Sequence, residues 1–241
     1  LSQNTRRKEV EIQILLETHR QKIPLSFQFN RMVNAGYVGR DQEEVRRHIQ
    51  ELAKKGIPSP NTTPTLYPVI CRTLVTENEI EVYGEETSGE VEYVLLVQDE
   101  SRVFVGLGSD HTDRHLEESD IPRAKQICPN VLSQKVWPLK EVLGHWDDLL
   151  IRSRVRTNGK EVLYQEDRLS AILPPDALMN FVRKTIRMPL KEMIIYSGTI
   201  GTLTGGFVFG DRFEAELIDE NLGRKLELSY SIHPLRYLRV G

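Results

Sequence analysis

Cysteine is scarce. The 241 residues hold two, Cys71 and Cys128, far apart and in no CxxC or other zinc-type spacing. That leaves no disulfide framework and no cysteine-built zinc site, and two reduced, largely buried thiols are expected. Long apolar runs are missing too: nothing approaches the roughly 18 residues that a membrane span requires. The opening LSQNTRRKEVEI has no apolar stretch of the kind a signal peptide carries. Nor is there a surplus of one charge. The formal net charge is −3, and Lys and Arg are spread along the chain. Neither nucleic acid nor an anionic membrane is therefore an expected partner. GxSxG, GxGxxG, a P-loop and HExxH are all absent, since Thr112 follows His111 where the last of these needs glutamate. The expectation is a cytoplasmic protein whose partner is a small molecule.

Hydrophobic content of 39% and charge content of 28% are those of an ordinary globular chain. VEIQILLE (10–17) alternates and predicts a strand. DQEEVRRHIQELAKKG (41–56) predicts a helix, with Asp41 at its N-cap, Val45, Ile49 and Leu52 on one face, and Gly56 as its stop. IPSPNTTPTLYP (57–68) carries four prolines and reads as a fixed connector. It is expected to divide an N-terminal strand/helix lobe, residues 1–66, from a β-rich domain, residues 67–241. Beyond it, EIEVYG, EVEYVLLVQ and RVFVGLG predict strands, with QDES as a hairpin link. TNGK (157–160) carries the Asn-Gly hairpin signal, and LPPDALMNFVRKTI (173–186) predicts a second helix opened by prolines. The class is α+β and strand-dominated.

Chemistry concentrates after VFVGLG. SDHTDRHLEE (109–118) packs two histidines, two aspartates, two glutamates and an arginine into ten positions. In a helix, His111 and His115 would share a face at i, i+4; in a loop the spacing means little. Asp110, Asp113 and Glu117 are placed either to orient an imidazole or to ligate a hard cation. A charged turn whose aspartates cap the next helix explains the same residues. SGTIGTLTGG (197–206) has four glycines and Ser197, Thr199, Thr202 and Thr204. Such a backbone approaches an anion closely, but it also suits a plain turn between strands. Glu214 and Glu216 in FGDRFEAELIDE share one strand face, as acidic rows on solvated sheets commonly do. Asp147 and Asp148 in HWDDLLIRSRV are carboxylates at a junction, and SGE at 88–90 is too short to signify.

VGLGSDHTDR, followed in order by KQICPN, HWDDLLIRSRV and YSGTI, resembles the fumarylacetoacetate hydrolase superfamily, and within it a branch known as a domain of unknown function. The resemblance runs from about Ala35 to Tyr230. It implies a mixed β-sandwich or roll with a few peripheral helices, and a homodimer. It implies a hydrolase or lyase cleaving a C–C bond beside a carbonyl of a small oxo-acid or β-dicarbonyl compound, or related enolate chemistry. On that comparison His111 or His115 is the general base, oriented by Glu214 with Glu216 as fallback. Ser197, Gly198 and Thr199 form the substrate turn, and Arg114 and Lys125 are cationic contacts. Asp110, Asp113, Glu117 and Asp147 are the cation-ligand candidates for Mg or Mn. The Glu-x-Glu ligand pair of the superfamily falls on HWDDLLIRS, where Leu149 replaces the second acid, so the metal site is expected to be incomplete. A non-catalytic small-molecule binding protein on the same fold, and a hydrolase of amides or cyclic amides, are the alternatives.

Overall fold

The computed structural model describes residues 9–54 and 62–237; both chain ends, the first part of the proline-rich connector, and the side chains of His48 and 51–54 lie outside it. The N-terminal part forms β1 (Val10–Glu17), β2 (Lys22–Phe29), β3 (Arg31–Gly36), α1 (Gln42–Lys54) and β4 (Thr65–Val69). Short β5 (Leu74–Val75), β6 (Glu79–Val82) and β7 (Thr87–Ser88) precede the hairpin of β8 (Val91–Val97) and β9 (Val103–Asp110). Then come β10 (Thr112–Asp113), α2 (Arg114–Glu117), α3 (Ile121–Ile127) and β11 (Asn130–Pro138). The rest is β12 (Leu150–Thr157), β13 (Lys160–Arg168), α4 (Pro175–Ile186), β14 (Met193–Tyr196), β15 (Arg212–Asp219) and β16 (Arg224–Pro234).

Local chemistry explains the elements that periodicity predicts. Asp41 caps α1 by accepting from the backbone N–H of Glu43 and Glu44 at 2.9 and 3.0 Å. Asn158 and Gly159 take positive φ, 51° and 73°, as the two-residue turn between β12 and β13 demands. Pro175 starts α4, where its missing N–H costs no helical bond.

Two sheets make the core. The larger runs β2-β1-β11-β9-β8-β14-β3-β4, with β5 attached to β11; the smaller runs β13-β12-β15-β16-β6. Every residue of β8 is buried, because both faces of its sheet are covered. On one face Tyr93, Leu95, Val105 and Leu107 pack with Ile151, Val155, Phe213 and Leu226 of the smaller sheet. On the other, Val94, Leu96, Ile194 and Tyr196 close over Phe27, Phe29 and Val136. That second face is concave. Asn130 of β11 donates to Asn34 of β3 at 3.1 Å, although three strands separate them in the sheet order. A curl this tight needs small residues inside it. A Cβ at Gly108 would stand 2.5 Å from Val94 Cγ2 and 2.6 Å from Tyr196 Cε1.

The boundary expected at residue 66 does not separate two bodies. Residues before it supply β1 and β3 to the large sheet, where β1 pairs with β11 and β3 with β14, and β4 straddles the boundary. The backbone hydrogen bonds of the large sheet run across the boundary.

Candidate active site

The segment SDHTDRHLEE is a strand end, a two-residue bridge and one helical turn, and this decides where its side chains go. Ser109 and Asp110 finish β9, Thr112 and Asp113 pair with Ser88 and Thr87, and α2 begins only at Arg114. Asp113 is the N-cap of α2, its carboxylate accepting from Leu116 N–H at 2.8 Å. His111 and His115 are therefore not on one helical face. His111 is fully buried, with Nδ1 3.0 Å from the Tyr230 hydroxyl and Nε2 2.9 Å from Thr87 Oγ1. Burial, aided by the Arg114 charge, pushes its imidazole down to about 3. His115 is exposed on α2.

Asp110 lies at the mouth of the curled sheet, and two glutamates meet it there. Glu90 and Glu92 flank the first residue of β8, and Glu92 stands opposite Gly108 on the neighbouring strand. One carboxylate oxygen of each of Glu90, Glu92 and Asp110 lies within 4.8 Å of the others. Buried cations balance part of this charge. Lys125 of α3 makes a direct ion pair with Asp110 and stands 3.8 Å from Glu90. Arg114 reaches Glu90 at 3.3 Å and Glu117 at 2.6 Å, fixes Ser88 Oγ at 2.7 Å, and stacks its guanidinium 4.3 Å from the Phe207 ring centroid.

Electrostatics follows from that packing. Burial holds the Glu92 carboxyl well above the usual range, and Asp110 and Glu90 push it the same way. Burial also raises Glu117, against the pull of Arg114. Burial opposes the charge on Lys125, but Asp110, Glu90 and Glu117 outweigh it and keep the ammonium protonated. The group opens on a cleft of ≈580 Å³, lined by Tyr37, Tyr67, Glu90, Glu92, Glu117, Lys125 and Thr199. Tyr37 takes φ of 56°, a conformation that a bulky side chain adopts only under constraint.

The glycine-rich turn closes one wall. Gly198 donates its backbone N–H to Glu92 at 2.7 Å. Thr199 donates to Val91 carbonyl at 2.8 Å and accepts from Gln165 at 2.7 Å, while Ser197 is buried and donates to Gly198 carbonyl. Thus Asp110, Glu117, Arg114, Lys125, Gly198 and Thr199 are brought together. The others are not. Glu214 is on the solvent face of β15, accepting from Arg212 at 2.7 Å and from Ser229 at 3.3 Å. Glu216, on the same face, pairs with Arg152 and Lys225. Asp147 is 57% exposed and held by the fork of Arg40 at 2.7 and 3.0 Å.

Asp147 does not stand in for a Glu-x-Glu pair. That pattern occurs as Glu90-Val91-Glu92 at the head of β8 and not at HWDDLLIRS. A signal existed: Glu92 interrupts an otherwise apolar, doubly buried strand, where an ionisable side chain is costly unless it has work there.

Comparisons agree with this architecture. Residues 35–230 match the family described as protein of unknown function, DUF2848. No curated protein sequence matches the chain. Among solved structures, a 2-keto-3-deoxy-D-arabinonate dehydratase complexed with magnesium and 2,5-dioxopentanoate superposes with TM-score 0.61 at 15% identity, covering 86% of this chain and 73% of that one. A putative fumarylacetoacetate hydrolase family protein from Yersinia pestis CO92 gives 0.58 at 18%, covering 86% and 95%. The 4-oxalocrotonate decarboxylase from Pseudomonas putida G7, complexed with calcium and acetate, gives 0.54 at 13%, covering 83% and 76%. At these identities the likeness establishes the fold.

Proposed function

The chain belongs to the DUF2848 family and has the fumarylacetoacetate hydrolase-like fold; from that premise we propose an enzyme of enolate chemistry on a small oxo-acid or β-dicarbonyl compound. One observation carries this reading. Glu90, Glu92 and Asp110 each bring a carboxylate oxygen within 4.8 Å of the others, and, among the described residues, Lys125 and Arg114 leave the buried Glu92 without an ion-pair partner. A divalent cation would favour the ionised form of all three, and an all-oxygen donor set suits Mg or Mn. Glu90, Glu92 and Asp110 would hold it. Such a cation supplies Lewis-acid stabilisation to an enolate oxygen.

The chain's own residues supply the rest. Lys125, kept protonated by its carboxylate neighbours, gives a fixed positive charge beside the cation for the substrate carboxylate. Glu117 faces the cleft with a carboxyl that burial raises against the pull of Arg114, and is the candidate for exchanging a proton with substrate carbon. Thr199 and the Gly198 turn fix the wall against which the substrate lies. His111 is sealed from the cleft with both ring nitrogens engaged, so a histidine/glutamate water-activating pair has little support from the geometry. The same fact favours the second reading, a non-catalytic oxo-acid binder that retains the cation.

The test is a calorimetric titration with Mg or Mn, followed by cation-dependent turnover of acylpyruvates. Binding with turnover supports the enzyme, binding without turnover supports the binder, and no cation binding removes both.

A further inference from the structure

A second cleft lies at the other end of the strands that carry the acidic cluster. Glu90 and Glu92 stand at the head of β8 and Asp110 at the end of β9; the β8–β9 turn and the end of β11 lie seven residues away along the same strands. At about 3.3 Å per residue that is roughly 20 Å. There the β1–β2 turn, the β8–β9 turn, the segment after β11 and Met179 of α4 enclose ≈760 Å³.

Its lining is two-sided. Leu16, Phe104, Leu139, Leu143 and Met179 form an apolar surface, of which Leu143 is 49% exposed. Arg20, Arg102 and Lys140 stand around it. Among the described residues no carboxylate lies within ion-pair distance of any of these three cations, although the chain as a whole is net negative. The acids nearby do not cancel them. Glu141 is already held by Arg224 at 2.8 Å and by His19, whose Nδ1 is 2.9 Å away. Arg20 Nε donates to His19 Nε2 at 3.0 Å, which fixes the imidazole proton on Nδ1 and leaves the ends of the Arg20 guanidinium free. Asp99 accepts from the Ser101 hydroxyl and from the backbone N–H of Ser101 and Arg102; it feels the Arg102 charge without reaching ion-pair distance of the guanidinium. Among the described residues Glu100 is the one lining carboxylate without a cation partner, against three cations.

The geometry points to a binding site for an amphiphilic organic anion, a carboxylate with an apolar body, in this distal cleft. The volume matches a small-ligand pocket, the apolar floor takes the body, and the Arg20 and Arg102 forks take the carboxylate. The adaptable Met179 side chain fits such a floor. This site is independent of the cation reading at the opposite end of the strands.

Octanoate is the probe, with octanol and acetate as controls, followed by calorimetry on the whole chain. Saturable one-to-one binding of octanoate, at least tenfold tighter than octanol or acetate, is expected. Arg20→Gln with Arg102→Gln should weaken octanoate at least tenfold, with an unchanged melting curve and unchanged Mn binding. Equal binding of octanol and octanoate, an unchanged affinity in the double variant, or no saturable binding below the octanoate micelle concentration would each overturn the site. If the double variant fails to fold, Lys140→Gln alone carries the same comparison.

Discussion

Gly198 donates its backbone N–H to the Glu92 carboxylate at 2.7 Å, so a glycine turn after β14 holds the one acid that interrupts the apolar face of β8. The backbone there has φ of 83°, and a Cβ would stand 2.6 Å from Val38 Cγ2 and 3.0 Å from the Ala35 carbonyl. Gly198→Ala is expected to cost about 2–4 kcal/mol from left-handed backbone and overpacking together. Urea denaturation measures it, and a loss under 1 kcal/mol would contradict the packing described.

Glu92→Gln keeps the shape of the side chain and removes its charge. Burial and the neighbouring carboxylates already disfavour that charge. The variant is therefore expected to be at least as stable as the parent without metal, yet to bind Mn at least about tenfold more weakly. Calorimetry and a melting curve read the two effects separately, and a variant that binds Mn normally would remove Glu92 from the ligand set.

Saturating Mg or Mn should raise the melting temperature, and a chelator should reverse it. At a hundredfold excess over Kd the gain is about 2.7 kcal/mol. Lys125→Met removes the ammonium from Asp110 and Glu90. Breaking a buried pair costs roughly 3–5 kcal/mol, and added cation is expected to recover part of it. A variant insensitive to cation would argue against the shared site.

His111 gives a pH signature. Its imidazole is held at about 3 in the fold and returns to about 6.5 when unfolded. The unfolded state thus binds the extra proton between those values. The contribution is fully present above pH of about 6.5 and is lost as pH falls toward 3. His111→Gln should flatten this part of the stability profile while keeping a hydrogen bond to Thr87 or Tyr230. An unchanged slope would mean that His111 is accessible to water.

Glu214→Gln tests the strand-borne acid. Its partners are Arg212 and Ser229 on a half-exposed face. The expected effect is under about 1 kcal/mol on stability, with turnover of any acylpyruvate substrate preserved. Loss of turnover without loss of fold would return Glu214 to the mechanism.

Much of this protein is legible in its sequence. Period-2 patterning gives β1, apolar runs give β8 and β9, the Asn158-Gly159 turn gives a hairpin, and Asp41 gives a helix start, because each depends on contacts a few residues apart. The density of charge at 109–118 also draws attention to Asp110, Arg114 and Glu117. What tertiary structure decided is which acids meet. Glu90, Glu92, Asp110 and Lys125 come from a strand head, a strand end and a helix; the pairing of β8 with β9 sets the three acids side by side, and α3 brings in Lys125. His111 and His115 part company because the helix starts at Arg114, three residues too late for their spacing to matter. Glu214 turns outward because Phe213 and Ala215 take the core face, and a strand can offer alternate residues to one side only.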